Sequence, residues 1–211
     1  MPMILDSSGL SHDRPIDLVH VIATPTADGK AEMAGGDLSP HLRWSGEPPD
    51  TRSFAISVVD PDVPADRTRM GVEGLSLGDD EPRIDFAHWL VVDLPPDVHE
   101  LPEGAGGEGF VAHGRPPAPT SVGGAQGQNG YRGLFEGNAD LEGTYHGWNG
   151  PFPPWNDEQV HRYFTTVYAL DVETLGLEHG FDLDTFRSAI EGHVLDSAEI
   201  VPTYTVNPAL R

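Results

Sequence analysis

The stretch GPFPPWNDEQVHRYFTTVYALD, residues 150–171, is the most informative segment of this chain. It joins a proline-rich corner and a short acidic loop to a segment whose side chains alternate with a period of two. In an extended strand, this alternation places on one face His161, Tyr163, Thr165, Val167 and Ala169. The pattern therefore predicts a strand that carries an imidazole and a phenol at its start and packs its apolar remainder into a core.

The rest of the chain has the same character. Its 211 residues are the length of one domain, and 25 glycines and 20 prolines separate short apolar runs. The runs at 16–23, 54–59, 86–94, 164–172 and 199–206 are predicted as strands. This composition indicates a mainly β fold, an antiparallel β-sandwich of two sheets in a single domain over residues 1–211.

Helix is expected only near the C-terminus. Residues 183–195 form an amphipathic pattern behind Asp182, a suitable N-cap, and a shorter helical piece is placed near 172–177. Residues 1–15 and 65–85 are expected to be irregular, as is the long Gly-rich loop at 103–148. Within that loop, GGAQGQNG at 123–130 lacks the following helix of a dinucleotide-binding loop and is interpreted as a flexible linker.

The charge balance excludes several classes of partner. With 34 acidic and 12 basic residues the formal net charge is −22, so nucleic-acid binding and stable membrane association are not expected. The absence of cysteine excludes disulfides, thiolate metal sites and cysteine nucleophiles. The N-terminus has no signal-peptide pattern, and no run approaches the roughly 18 apolar residues of a membrane span, so a cytoplasmic protein is expected.

Two further polar groups lie on apolar strands. The segment Asp60-Pro61-Asp62-Val63-Pro64 follows a strand and is predicted as a rigid turn that presents its carboxylates. The aspartates of such a turn can equally bond the local backbone. His88 lies in FAHWLVVDLP, where an ordinary core histidine is the alternative to a functional one.

The candidate chemistry is anion binding. Two histidines and an aspartate match a zinc site in ligand type, but the chain lacks the H-x-x-x-H and H-E-x-x-H spacings and the G-x-S-x-G nucleophile motif. No metal, no cofactor and no catalytic residue is therefore assigned. Two imidazoles and a phenol beside a constrained backbone suit a small anion better.

Five segments carry a resemblance to a known family. SPHLRW (39–44), DPDVP (60–64), AHWLVVDLP (87–95), the stretch at 150–171 and HVLDSAEIVPTYTVNP (193–208) occur in the order found in the phosphatidylethanolamine-binding protein family. The chain is most similar to the prokaryotic Raf-kinase-inhibitor-like branch, and the resemblance runs from about residue 16 to 208. The combination of DPDxP with HRY is its most specific part.

The resemblance implies a β-sandwich with a small anion pocket at one end. The pocket residues of the family fall here on Asp60, His88, His161, Tyr163 and Tyr204, with Pro153 and Pro154 at the rim. Asp62, the second aspartate of the same motif, is included in the candidate ligand-binding set.

Three hypotheses follow for the function. In the first, a phosphate-like anion accepts hydrogen bonds from His88, His161 and the two tyrosines, while Asp60 orients an imidazole. In the second, the chain is a protease or kinase inhibitor, or another interaction protein, that acts through the loop at 103–148. In the third, it is a hydrolase-like enzyme with His161 as general base. A homodimer is left open, and no protein partner is assigned.

Overall fold

The computed structural model describes residues 2–211, and most of the ordered elements are β-strands. In chain order the strands are β1 (Ile4–Asp6), β2 (Thr24–Pro25), β3 (Ala31–Glu32), β4 (Leu42–Ser45), β5 (Ser53–Pro64), β6 (Arg83–Leu94), β7 (Glu100–Leu101), β8 (Ala125–Gln126), β9 (His161–Arg162), β10 (Phe164–Leu170), β11 (Val194–Ile200) and β12 (Thr203–Tyr204). The helices are α1 (Tyr131–Leu134) and α2 (Leu183–Ile190).

These strands form two main antiparallel sheets. The larger sheet has the order β11-β10-β5-β6-β8, and the smaller has the order β1-β4-β7. Two short ribbons, β12-β9 and β2-β3, complete the β structure. One apolar core contains residues of both main sheets, so the predicted β-sandwich is confirmed.

The core follows from the alternation of side chains along the strands. On β5, Phe54, Ile56 and Val58 are fully buried in the core between the sheets. The Phe54 ring meets the Trp44 ring of β4 edge-on, with the centroids 5.4 Å apart. The alternation predicted for residues 161–169 is confirmed, because all five residues of the predicted inner face are buried.

The outer face of the larger sheet is covered by α2. Phe186 and Ile190 are buried against Ala55 and Leu90, which belong to the opposite faces of β5 and β6 from the main core. Asp182 caps the helix as predicted, since its Oδ1 accepts a hydrogen bond from the Thr185 amide at 2.9 Å. The sheet is therefore buried on both faces over this region.

The helix is shorter than the sequence predicts. It ends at Ile190, and Val194 instead begins β11, which pairs with β10 through Val194 opposite Leu170. Gly192 adopts a φ of 83°, a left-handed conformation that lets the chain reverse between helix and strand. Residues 172–177, also predicted as helical, form bends without helical structure. Pairing along the sheet edge thus prevails over the local helical pattern.

The predicted strand at 16–23 is wrong. A 3-10 turn occupies Leu18–His20, and the following amides bond to loops, with those of Ile22 and Ala23 both directed to the Pro151 carbonyl at 3.0 and 3.1 Å. The predicted strand at 199–206 is divided, because β11 ends at Ile200 and β12 pairs with β9. The N-terminal segment is not wholly irregular, since β1 lies within it.

Two predicted irregular segments are also more ordered than expected. Residues 60–64 are not a turn, because β5 continues through them to Pro64, and β6 begins at Arg83. The Gly-rich segment is not a flexible linker, because β8 pairs with β6 and the Gly130 amide bonds to the Ala87 carbonyl at 2.8 Å. A Cβ at Gly130 would lie 2.6 Å from the Phe86 ring, so glycine is needed for this close packing.

Across residues 2–211, no helix has the length and the apolar character needed to cross a bilayer.

Two substitutions test whether α2 ends at Ile190 and β11 begins at Val194. We expect Phe186→Ala to lower the free energy of unfolding by about 3–5 kcal/mol, because the buried ring leaves a cavity. Val194→Ala, which would be equally damaging if the helix continued to residue 195, should cost less than about 1 kcal/mol, because Val194 is 42% exposed on β11. Urea denaturation of the two variants measures the difference, and equal losses would contradict the strand assignment.

Candidate functional site

Asp60 points into the molecule because it continues the inner face of β5 formed by Ile56 and Val58, and the strand becomes irregular directly after it. Asp60 lies opposite Phe86 and Val63 opposite Ile84, so three steps along β5 match two along β6 and one residue is extra. The Asp60 side chain is 1% exposed, and its Oδ1 accepts a hydrogen bond from the Asp62 amide at 2.8 Å. The other oxygen, Oδ2, is directed to His161.

His161 lies between two buried carboxylates. Its Nδ1 is 2.7 Å from Asp60 Oδ2, and its Nε2 is 3.1 Å from Asp157 Oδ2. Burial alone would lower the pKa of His161, but the charges and hydrogen bonds of the two aspartates outweigh it and raise the pKa to about 9. The imidazole is therefore a cation at neutral pH, and both of its N–H groups are occupied.

Asp157 is a site residue that the sequence reasoning did not single out. Arg83 at the start of β6 binds it in a bidentate manner, with Nη1–Oδ2 at 2.5 Å and Nη2–Oδ1 at 3.0 Å. Burial favours the neutral acid, but the hydrogen bonds from His161 and Arg83 lower the pKa of Asp157. The only sequence signal is its place in the acidic loop, four residues before His161. Asp60, Asp157, His161 and Arg83 together have no net charge.

Asp62 has a different partner. Its Oδ2 accepts from the Arg162 amide and from Arg162 Nε, both at 2.9 Å, and its Oδ1 accepts from Nη2 at 2.7 Å. These bonds tie the end of β5 to β9 and lower the pKa of Asp62 despite its burial. The structure therefore places Asp62 in a strand-to-strand contact, with its carboxylate occupied by Arg162.

His88 is turned toward the core by a second irregularity. Val58 lies opposite Trp89 and Val59 opposite Ala87, so His88 is left without a partner in β5. Its ring is 5.2 Å from the Tyr163 ring between centroids. Its Nδ1 is 2.7 Å from the Asn149 carbonyl, which places the ring proton on Nδ1, and burial lowers its pKa. The Nε2 atom is buried and 4.0 Å from Asp60 Oδ2, and it makes no hydrogen bond to any residue of 2–211.

The Asn149 carbonyl is itself held by a buried carboxylate. Asp37 accepts from Asn149 Nδ2 at 2.8 Å and from the Gly150 amide at 2.7 Å. Burial raises the pKa of Asp37 to about 6, against the effect of those two hydrogen bonds. Asn129, from the Gly-rich loop, donates to Asn149 Oδ1 at 3.0 Å. The loop therefore helps to position the group that orients His88.

The two tyrosines of the candidate set differ. Tyr163 is 1% exposed, and its hydroxyl, which lies beside Asp60, makes no hydrogen bond within the described chain. Burial and the Asp60 charge hold its pKa well above the usual value, so it stays a hydrogen-bond donor. The Tyr204 hydroxyl instead donates to the Ala23 carbonyl at 2.7 Å. The structure thus brings Tyr163 to the site and gives Tyr204 a backbone partner.

A small cavity opens beside these groups. Its lining includes the polar residues Asp60, His88 and His161 as well as Phe152, Pro153 and Pro154. Its volume is about 20 Å³, enough for roughly one water-sized group such as one oxygen of a larger ligand, and it adjoins a wider groove that shares both prolines. Within residues 2–211, no cluster of three or more histidine, cysteine, aspartate or glutamate side chains is arranged to hold a metal ion.

The sequence is similar to those of proteins from one family. The sequence profile described as "Phosphatidylethanolamine-binding protein" matches residues 20–205. The UPF0098 protein YbhB of Escherichia coli is 31% identical over 171 residues, which are 81% of this chain and 84% of the relative. A UPF0098 protein of Aquifex aeolicus is 31% identical over 179 residues, covering 85% of this chain and 77% of the relative.

Solved structures show the same fold. The crystal structure of E. coli YbcL, described as a new member of the mammalian PEBP family, superimposes with a TM-score of 0.69 at 25% identity, covering 98% of this chain and 100% of that one. The homologue CT736 of Chlamydia trachomatis, described as a putative phosphatidylethanolamine-binding protein homologue, gives a TM-score of 0.62 at 28% identity, with 97% of both chains covered.

The arrangement around His161 predicts a pH-dependent stability. The folded pKa of about 9 exceeds the unfolded value near 6.5, so the bound proton stabilises the folded state fully below pH 6.5. We expect this contribution, on the order of 3 kcal/mol, to be lost as the pH rises through about 9. Urea denaturation at a series of pH values measures the loss.

Two variants show whether the pH-dependent loss of stability comes from the buried histidine or from an exposed one. Asp157→Asn removes one carboxylate from His161, so the fall in stability above pH 6.5 should become smaller. Asp171→Asn is the matched control, because Asp171 pairs with His193 at 2.8 Å where both side chains are more than 40% exposed, and solvent screens the pair. Identical pH profiles for Asp157→Asn and the unmodified protein would contradict the role of Asp157.

Proposed function

The chain belongs to the phosphatidylethanolamine-binding protein family, and on that premise we propose that its cavity binds a small phosphate-type anion. The observation that carries the proposal is the unpaired Nε2 of His88, a buried polar atom at the wall of a cavity. Leaving a buried polar atom without a partner costs about 1–3 kcal/mol. A ligand that supplies this partner recovers that free energy.

The protonation states favour an anion that brings a proton. Neutral His88 has its proton on Nδ1, so its Nε2 accepts a hydrogen bond, whereas the Tyr163 hydroxyl donates one. A phosphate monoester that carries one P–OH offers both a donor and acceptors. The monoester dianion lacks that donor, so His88 must then gain a proton from solvent and donate from Nε2. Relative to the dianion, both modes place one additional proton in the complex.

The surrounding charges also support a phosphate-type anion. Asp60 would repel an anion, but His161 offsets its charge, and Arg83 offsets that of Asp157. His161 does not donate to the ligand in this proposal, because both of its ring nitrogens are bonded to carboxylates. In this proposal Asp60 orients the imidazole of His161, which is the role that the first hypothesis gives it.

The other two hypotheses receive less support from the same residues. A general base needs an unprotonated nitrogen that is free to accept a proton. At neutral pH His161 is protonated, and both of its ring nitrogens are bonded to carboxylates. The loop at 103–148, on which the inhibitor hypothesis relies, is packed into the domain, with Tyr131, Tyr145 and Trp148 buried. Anion binding is therefore the function that the geometry favours.

Tyr163→Phe tests the role of the phenol. We expect inorganic phosphate to bind about ten-fold or more weakly, because a hydrogen bond to a charged group is lost. The free energy of unfolding should fall by less than about 1 kcal/mol, since the hydroxyl that is removed makes no hydrogen bond of normal length and interacts with Asp60 only at longer range. Tyr145→Phe is the control, because it removes a hydroxyl bonded to the Leu141 carbonyl at 2.6 Å, away from the cavity. Isothermal titration calorimetry measures both, and equal affinities for the two variants would contradict the assignment.

The proton requirement predicts a pH dependence and a selectivity. We expect the affinity for methyl phosphate, a monoester, to rise as the pH falls from about 8 to about 5.5, because both its P–OH monoanion and protonated His88 become more populated. Methyl sulfate is the matched control, since it has a similar shape but brings no proton in this range. It should bind more weakly than methyl phosphate at every pH. Equal binding of the two anions, or a methyl phosphate affinity independent of pH, would refute the proton-coupled mode.

A further inference from the structure

We propose that the anion bound in the cavity carries one compact apolar group, such as an aromatic ring or a short alkyl chain, and that the ligand is a soluble molecule. The apolar group would bind in a groove that adjoins the cavity. This inference rests on the proposed function, because the groove matters only for a ligand whose anionic end is held beside His88.

The groove and the cavity share one wall. The groove has a volume of about 350 Å³, and Met70, Leu134, Phe152, Pro153 and Pro154 line both spaces. A ligand held by its anionic end at His88 therefore extends past these side chains directly into the groove. A second groove of about 260 Å³, on the outer face of the larger sheet, shares no lining residue with the cavity.

The lining of the groove suits an apolar group. Phe135 and Trp155 add aromatic surface to the shared wall, and Trp155 is only partly buried. Among its lining residues, the one charged side chain is Arg67, whose guanidinium contacts the Gly133 carbonyl and lies 3.5 Å from Glu136 Oε2. A polar substituent would lose its water here with few partners in return, whereas an apolar one gains by burial.

Size and charge favour a soluble ligand over a lipid in a bilayer. The volume is at the lower end of the roughly 300–1,000 Å³ found for small-molecule sites, so it suits one compact group. The protein has a formal net charge of −22, which opposes approach to an anionic bilayer surface. Lys30, the only lysine of the chain, is 3.5 Å from Glu73, so its charge is offset locally.

Three soluble probes test the inference by calorimetry. They are inorganic phosphate, phenyl phosphate and phosphoethanolamine, which present the same anion with no substituent, an apolar one and a polar one. We expect phenyl phosphate to bind about ten-fold tighter than either of the others, because one ring is removed from water. The tryptophan fluorescence should also change with phenyl phosphate, since Trp155 lines the groove while the other three tryptophans are buried.

A variant of the groove separates this preference from anion binding. Trp155→Gln removes an aromatic side chain that lines the groove and not the cavity, so the preference for phenyl phosphate should fall several-fold while phosphate affinity changes less than about two-fold. Met33→Gln is the control, because it introduces the same amide at a residue that is 41% exposed and lines neither space. Its preference should equal that of the unmodified protein.

The outcomes distinguish this inference from the function on which it rests. Equal affinities for phosphate and phenyl phosphate would overturn the apolar subsite and leave anion binding intact. Absence of binding by all three probes would refute the anion site and the inference with it. Sedimentation of the protein with phosphatidylethanolamine vesicles, lost in Trp155→Gln but not in Met33→Gln, would overturn the soluble source in favour of a lipid chain.

Discussion

A protonated imidazole between two buried carboxylates joins three separate parts of this chain. His161 on β9 contacts Asp60 on β5 and Asp157 in the preceding loop, and Arg83 on β6 binds Asp157 from the other side. Removing any one member would leave a buried charge without its partner, which is far more costly than the net value of the pair. The four groups therefore fix the end of the sandwich at which the cavity opens. They also set its electrostatics, because His161 is a cation whose N–H groups are already used.

One of the three irregularities in the β5–β6 pair brings His88 to that cavity. In a regular strand, His88 would share a face with Leu90 and Val92, which pack on the outer side of the sheet. The unpaired position at His88 turns its ring inward, where it contacts Tyr163. Asp60 needs no such irregularity, because it already shares the inner face of β5 with Ile56 and Val58. Asn149, held by Asp37, then fixes which nitrogen of His88 bears the proton.

The sequence predicts the parts of this arrangement that depend on local pattern. The sandwich, the central strands and the Asp182 cap follow from alternation and composition, and the family motifs identify Asp60, His88, His161 and Tyr163. Contacts between distant segments are not visible in such patterns. The pairing of Asp157 with His161 and Arg83 depends on the path of the acidic loop, and strand pairing overrides the helical pattern at Val194. The Gly-rich segment is misread because the partners of its amides lie on β6, far away in sequence.

The difference between surface charges and buried charges explains how so acidic a chain can hold an anion. Charges on the surface are screened over about 8–10 Å at physiological ionic strength, so most of the formal charge of −22 has little effect inside a buried cavity. Buried charges are screened much less, and here two carboxylates are offset by one imidazolium and one guanidinium. An entering phosphate dianion would add two negative charges to this balanced group, and one proton on the phosphate or on His88 reduces the added charge to one. The buried balance thus favours a protonated complex, and it makes the local cluster, not the overall charge of the protein, the determinant of which anions can enter.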